Sequence, residues 1–190
     1  MKNMIPVAMS NRHIHLSQED LDILFGEGYQ LTKMKDLSQP GQYACEEKVD
    51  IVGPKGTLKG VRILGPVRTH TQIEISVSDG FVLGVKAPTR DSGNIEDTPG
   101  AKIIGPKGEV EIEKGIIVAA RHIHMHAEEA KQFEVKDKDI VNVKINGPRG
   151  LIFNNVLVRV SPSYALEMHV DVEEGNAAAI KNGQMVELIK

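Results

Sequence analysis

Short stretches of alternating apolar and polar residues recur along the chain and predict β-strands. Residues 141–145 (VNVKI) and 156–160 (VLVRV) are two examples. Three near-copies of the tetrapeptide Gly-Pro-Lys/Arg-Gly punctuate these stretches, at residues 53–56, 105–108 and 147–150. Proline presets the first turn angle and glycine permits a positive φ, so each copy predicts a hairpin turn. The chain is therefore predicted to be mainly β.

Three short helices are predicted among the strands. The first begins at Ser17, a suitable N-cap ahead of two acidic residues, and stops at Gly26. Residues 127–133 and 173–181 have the same brief helical character. Residues 91–100 (DSGNIEDTPG) are polar without periodicity and predict a loop that either binds a ligand or connects two strands.

The sequence Arg-His-Ile-His occurs twice, at residues 12–15 and 121–124, an offset of 109 residues. Each copy follows an apolar segment and precedes a predicted short helix. Further along, the offset falls to 94 or 95, because the second copy lacks a counterpart of residues 29–43. At an offset of 95, Glu74 falls opposite His169. The chain is therefore predicted to contain two related halves.

The two His-x-His pairs are the strongest candidates for metal ligands. On a strand, residues i and i+2 point to the same face, so His13 and His15 can converge on one ion, as can His122 and His124. Imidazole combined with carboxylate suits zinc, cobalt, iron or nickel. A single pair of this kind is usually exposed or hydrogen-bonded, but two copies with identical flanks among seven histidines favour metal binding. His169 is the best third ligand for the second pair.

The remaining candidates carry less weight. His126 falls at the N-cap position that Ser17 holds in the first copy, which favours helix capping or solvent exposure. His70 is close to Arg68 in the chain and is expected beside the metal ligands rather than among them. Cys45, the only cysteine, is interpreted as a small buried residue or a loop thiol.

Composition excludes several classes of protein. The 190 residues include 41% hydrophobic and 26% charged residues, as in ordinary globular proteins. A net charge of −3 and an aromatic content of 4% argue against nucleic-acid partners. One cysteine rules out a disulfide framework. No run approaches the ~20 apolar residues of a membrane span, and residues 1–10 do not resemble a signal peptide, so we expect a cytoplasmic protein without membrane partners.

Five motifs in order resemble the propanediol-utilisation type of phosphate acyltransferase, the phosphate propanoyltransferase family. They are SNRHIHLS at 10–17, RTHTQIEIS at 68–76, APTRDSG at 87–93, AARHIHM at 119–125 and LEMHVD at 166–171. The resemblance covers essentially the whole chain. It implies two similar small β-barrels with short flanking α-helices and strands exchanged between the halves, the first over about residues 1–115 and the second over about 116–190.

The resemblance also implies two zinc ions per chain and coenzyme A as a substrate. It places the following residues around the first zinc, which also meets the coenzyme A sulfur: His13, His15 and Glu74. It places the following residues around the second zinc: His122, His124 and His169. Arg68 matches the phosphate-binding catalytic arginine of the family. Arg90 and Ser92 match part of the surround of coenzyme A or phosphate.

The implied reaction converts acyl-coenzyme A and phosphate into acyl phosphate and coenzyme A, by direct attack of phosphate on the thioester. Propanoyl and acetyl groups are both compatible with the sequence, as are a monomer and a homo-oligomer. Family members in bacterial microcompartments carry an amino-terminal extension, whereas nine residues precede the first motif here.

Two other functions use the same ligands. A dinuclear zinc hydrolase would cleave thioesters or phosphoesters with water. A noncatalytic barrel would complete each metal site with four protein ligands. The spacing of His13, His15, Glu19 and Gly26 also matches a cupin metal motif. However, the cupin glutamate lies on a strand, whereas Glu19 falls at a predicted helix start, so a cupin is the weaker interpretation.

Overall fold

The computed structural model describes residues 3–189, and within them β-strands dominate, as the sequence predicts. The strands are β1 (Met4–Ser10), β2 (His13–His15), β3 (Lys33–Asp36), β4 (Tyr43–Val52), β5 (Thr57–Gly65), β6 (Gln72–Glu74), β7 (Thr89–Arg90), β8 (Ala101–Ile104), β9 (Glu109–Ile112), β10 (Ile116–Ala119), β11 (His122–Met125), β12 (Ile140–Ile145), β13 (Leu151–Val160), β14 (Glu167–Asp171) and β15 (Gln184–Ile189). The helices are α1 (Gln18–Phe25), α2 (Val77–Leu83), α3 (Ala127–Phe133) and α4 (Val172–Ala178).

These elements form two compact units. The first, here called the barrel unit, comprises residues 3–11, 38–40 and 120–189 of the described chain. The second, the open unit, comprises residues 12–37 and 41–119. β1 lies in the barrel unit, whereas β2, the His-x-His strand that follows it, lies in the open unit. Conversely, β10 lies in the open unit, whereas β11, the His-x-His strand that follows it, lies in the barrel unit. This confirms the strand exchange expected between the halves.

In the barrel unit, six strands close in the order β1-β14-β11-β13-β12-β15. β1 runs parallel to β14 and antiparallel to β15. The barrel interior is filled by aliphatic side chains, including the fully buried Ile5, Ile123 and Val158. Removal of this apolar surface from water is the main force that holds β11 between β13 and β14.

In the open unit, the main sheet has the order β7-β10-β6-β2-β5-β4-β8-β9, with β3 added alongside β4. β2 is a central strand, flanked by β5 and β6. Its middle residue, Ile14, is fully buried in the hydrophobic core of this unit. Because successive side chains on a strand alternate between faces, His13 and His15 share the face opposite Ile14.

Strand register reproduces the internal repeat. β2 pairs in parallel with β5 and antiparallel with β6, as β11 pairs in parallel with β13 and antiparallel with β14. His13 lies opposite Glu74, and His122 lies opposite His169. The offset of 95 residues that aligns Glu74 with His169 in the sequence is therefore also the structural alignment.

The three tetrapeptide turns are confirmed as hairpins. They connect β4 to β5, β8 to β9 and β12 to β13. In the first two, the N–H of the first glycine donates to the carbonyl of the last one at 2.9 Å. The reverse bond, from Gly150 N–H to the Gly147 carbonyl, closes the third at 3.0 Å.

Two of the three predicted helices have the expected bounds, and the third is shorter. Ser17 caps α1, and its hydroxyl accepts from the Asp20 N–H. The helix expected over 173–181 ends at Ala178, because Ala179 adopts a left-handed conformation with φ of 52°. α2 was not predicted, although Ser76 and Asp79 form a capping box at its start. None of the helices within residues 3–189 is long and apolar enough to span a bilayer.

Candidate functional site

The first candidate metal cluster lies in the open unit and consists of His13, His15 and Glu74. β2 supplies the two histidines from one face, and the adjacent β6 supplies the carboxylate directly opposite His13. The ligand atoms all lie within 4.8 Å of one another. His13 Nε2 is 3.4 Å from Glu74 Oε2, and both side chains are largely buried.

The electrostatics of this cluster suit a cation. Burial, followed by electrostatic repulsion from His13 and Arg68, lowers the pKa of His15 to about 3. The His15 imidazole is therefore neutral. The buried Nδ1 of His15 has no hydrogen-bond partner. Burial alone would raise the pKa of Glu74, but the neighbouring histidines and a hydrogen bond from Ser92 outweigh it and hold the pKa at about 2. Neutral imidazole with ionised carboxylate is a suitable donor set for zinc.

Ser92 joins the polar loop to this cluster. Its hydroxyl donates to Glu74 Oε1 at 2.8 Å and accepts from Arg68 Nη1 at 3.3 Å. Gln72 donates to the same Glu74 oxygen at 2.7 Å, and its own carbonyl oxygen accepts from the Gly93 N–H at 2.7 Å. The structure therefore brings Ser92 and Arg68 to the first cluster. Gln72 was missed, although it shares a strand face with Glu74.

Arg68 also reaches a second environment. It lines a cavity of about 490 Å³ together with the first turn of α1, His70 and Lys114. His70 is exposed on this cavity wall and does not belong to the first cluster. Arg90 lies in β7, opposite Ala119 of β10 and two residues before Ser92. A guanidinium between a polar cavity and Ser92 is well placed to bind an anion.

The second cluster lies in the barrel unit and consists of His122, His124 and His169. Its ligand atoms also lie within 4.8 Å of one another, and the ring centroids are 4.6 to 5.2 Å apart. His122 Nδ1 is 2.7 Å from the Ala120 carbonyl, which can only accept. Nδ1 of His122 therefore carries the proton in this contact, which makes Nε2 the atom that would coordinate a metal.

Tyr164 and Glu167, which the sequence interpretation missed, lie beside the second cluster. The ring of Tyr164 is 4.3 Å from that of His124, and Arg159 Nη2 donates to the Tyr164 hydroxyl at 3.3 Å. Glu167 Oε2 is 2.6 Å from His169 Nε2. The available signal for Glu167 was its spacing, since residues i and i+2 of a strand share a face.

The less favoured candidates have structural roles or lie elsewhere. His126 caps α3, as predicted, and its Nδ1 accepts from the Glu128 N–H at 3.4 Å. Cys45 is buried in β4, and burial raises the pKa of its thiol to about 11. Glu19 is exposed in the first turn of α1, so the cupin-like spacing does not correspond to the metal cluster.

Comparison with known proteins gives one consistent result. The family model of phosphate propanoyltransferase matches residues 6–181. A phosphate propanoyltransferase of Thermotoga maritima is 58% identical over 187 residues, which cover 98% of this chain and 89% of the relative. Proteins of the same name from Clostridioides difficile and Salmonella typhimurium are 54% and 52% identical. The first match covers 98% of this chain and 89% of the relative, and the second covers 94% and 85%.

Proposed function

Because the chain belongs to the phosphate propanoyltransferase family, we propose that its two histidine clusters each bind a zinc ion. The two ions would take part in acyl transfer between coenzyme A and phosphate. Phosphate acyltransferase activity follows from family membership. The observation that carries the zinc proposal is the duplication of a three-ligand cluster at equivalent strand positions. A structural role for the histidines would not require both copies to keep this geometry.

The donor sets fit zinc in number as well as in chemistry. Three protein ligands per ion leave a fourth position for substrate, as in catalytic zinc sites. Bound there, zinc would supply Lewis-acid stabilisation of a thiolate or an oxyanion. An open fourth position favours an enzyme over a barrel whose metals are fully enclosed by protein.

Arg68 is proposed to bind the phosphate. Its guanidinium is permanently charged and offers parallel donors that match two phosphate oxygens. Ser92 accepts a hydrogen bond from Arg68 and donates one to Glu74, which couples the anion-binding group to the first cluster. Arg90, on the strand that leads into the same loop, is proposed to contact coenzyme A.

The proposed reaction is a direct displacement. A phosphate oxygen attacks the thioester carbonyl carbon, the carbonyl oxygen becomes an oxyanion, and the carbon–sulfur bond breaks to release the coenzyme A thiolate. The names of the relatives indicate propanoyl as the acyl group. Cys45, the only cysteine, is buried with its pKa raised to about 11, so it is unsuited to form an acyl-enzyme.

The decisive experiment measures thiol release from propanoyl-coenzyme A with and without phosphate, on protein whose zinc content is determined in parallel. We expect release only with phosphate, two zinc ions per chain, and loss of activity after chelation. Thiol release independent of phosphate would identify a hydrolase instead. Full activity in protein free of metal would overturn the zinc proposal and leave the family assignment intact.

A further inference from the structure

The strands that carry the third ligand of each cluster differ in the position of their carboxylate. β6 reads Gln72-Ile73-Glu74, and its counterpart in β14 reads Glu167-Met168-His169. Each strand offers one carboxylate to the cluster face, together with an amide in β6 and an imidazole in β14. In β6 the carboxylate occupies the ligand position, whereas in β14 it stands two residues earlier. The negative charge is therefore present at both clusters but on different positions.

Glu167 lies against the second cluster. Its Oε2 lies 2.6 Å from His169 Nε2, and the Glu167 side chain is only 12% exposed, the same fraction as Glu74. A buried carboxylate in contact with His169 and opposite His124 would counter the charge that a metal ion brings.

The Ser38 hydroxyl hydrogen-bonds to the same Glu167 oxygen. Ser38 belongs to the short segment 38–40, which lies in the barrel unit although its flanking residues lie in the open unit. Gln39 secures this segment, because its side-chain amide donates to the Ala165 carbonyl at 3.0 Å and accepts from the Ala165 N–H at 3.3 Å. Gln39 is 3% exposed.

The segment 38–40 falls within residues 29–43, the stretch of the first repeat that has no counterpart in the second. These extra residues thus supply a contact to the cluster formed by the second repeat. Ser38 and Glu167 are 129 positions apart in the sequence.

We propose that Glu167, held by Ser38, is a positioning residue for metal binding at the second cluster and provides the negative charge that Glu74 provides at the first. This inference rests on the proposed zinc site. A carboxylate hydrogen-bonded to a ligating histidine fixes the orientation of its ring and raises its basicity, and loss of such a partner typically weakens metal affinity by about 10- to 100-fold.

The test measures the zinc affinity of the full chain, with zinc alone, by competition with a chromophoric chelator. A His13→Ala/His15→Ala background removes the first cluster, so that the titration reports the second. Glu167→Gln should raise the zinc dissociation constant by about 10- to 100-fold. Glu128→Gln makes the same change of charge at an exposed position of α3 and should leave the affinity unchanged. Thermal unfolding of the metal-free proteins should be similar for both variants.

Ser38→Ala should weaken zinc binding by a smaller factor in the presence of Glu167 and have no further effect in the Glu167→Gln protein, because the two residues act in series. If the background variant does not fold, both zinc affinities are measured in the otherwise native chain, and Glu167→Gln should weaken one of them by this factor and leave the other unchanged. A dissociation constant unchanged by Glu167→Gln would overturn the inference. No zinc binding at all by the folded background variant would overturn the second zinc site itself, and the inference with it.

Discussion

Arg12 forms an ion pair with Asp79, with Nη2 and Oδ1 2.9 Å apart. Arg121 repeats this contact with Glu174 at 2.7 Å. Asp79 and Glu174 are the capping-box residues of α2 and α4, the helices that follow the strands of the third ligands. The arginine of each Arg-His-Ile-His motif therefore connects the start of the His-x-His strand to the helix that follows the strand of the third ligand.

This contact predicts a cost in stability. Arg12→Ala leaves the Asp79 carboxylate, which is only 6% exposed, without its ion-pair partner. Because Arg12 itself is 45% exposed, we expect a loss of about 1–2 kcal/mol in unfolding free energy, below the 3–5 kcal/mol typical of a fully buried pair. Urea denaturation of metal-free protein measures it. Lys59→Ala, at an exposed position of the same unit, is the control, and equal midpoints for the two variants would contradict the prediction.

Cys45 predicts a pH dependence of stability. Its thiol has a pKa of about 11 in the folded protein, above the ordinary value of 9.0. The thiol of the unfolded chain therefore ionises at a lower pH than the thiol of the folded protein. The contribution of the protonated thiol to the free energy of unfolding is fully present below pH 9 and is lost as the pH rises towards 11. Urea denaturation across this range should show a decline in wild type that is absent from Cys45→Ala, after both are normalised at pH 8. Parallel curves would show that the thiol ionises equally in both states.

The same substitution tests the absence of an acyl-enzyme. Cys45→Ala should keep the rate of phosphate-dependent thiol release, because the thiol is buried and protonated at neutral pH. The native thiol should also react with an alkylating reagent far more slowly than the thiol of urea-unfolded protein. A turnover reduced by several orders of magnitude in a variant that folds normally would assign Cys45 to catalysis.

Arg68→Lys should keep both zinc ions and lose most of its turnover. One ammonium group cannot reproduce the paired donors of the guanidinium. The loss expected is about 2–4 kcal/mol of transition-state stabilisation, the size seen when one preorganised donor is removed. Steady-state kinetics with phosphate as the varied substrate measure it, and Arg149→Lys, in an exposed turn, is the matched control. Unchanged kinetics would make Arg68 a structural residue.

The two clusters are predicted to divide the substrates between them. His13→Ala should weaken coenzyme A binding more than phosphate binding, and His169→Ala should do the reverse. Isothermal titration of each variant with each substrate tests this division, with zinc content measured on the same samples. Equal losses of both ligands in both variants would mean that the clusters act as one unit.

Much of the site was accessible from the sequence, because its determinants are local. The two-residue period of a strand places His13 and His15 on one face whatever surrounds them. Proline and glycine specify the hairpin turns, and Ser17 specifies the start of α1, through the backbone preferences of a few consecutive residues. The repeat then aligned Glu74 with His169 before any strand was paired. The same local reasoning would have found α2 from Ser76 and Asp79.

Other contacts depended on the tertiary structure. Nothing near Ser38 in the chain indicates that it meets Glu167, and nothing near Arg12 indicates Asp79. These pairs form because strand order and register bring together side chains that are 129 and 67 residues apart. Local backbone preferences act over a few residues, whereas such contacts are decided by how whole strands bury their apolar faces against one another.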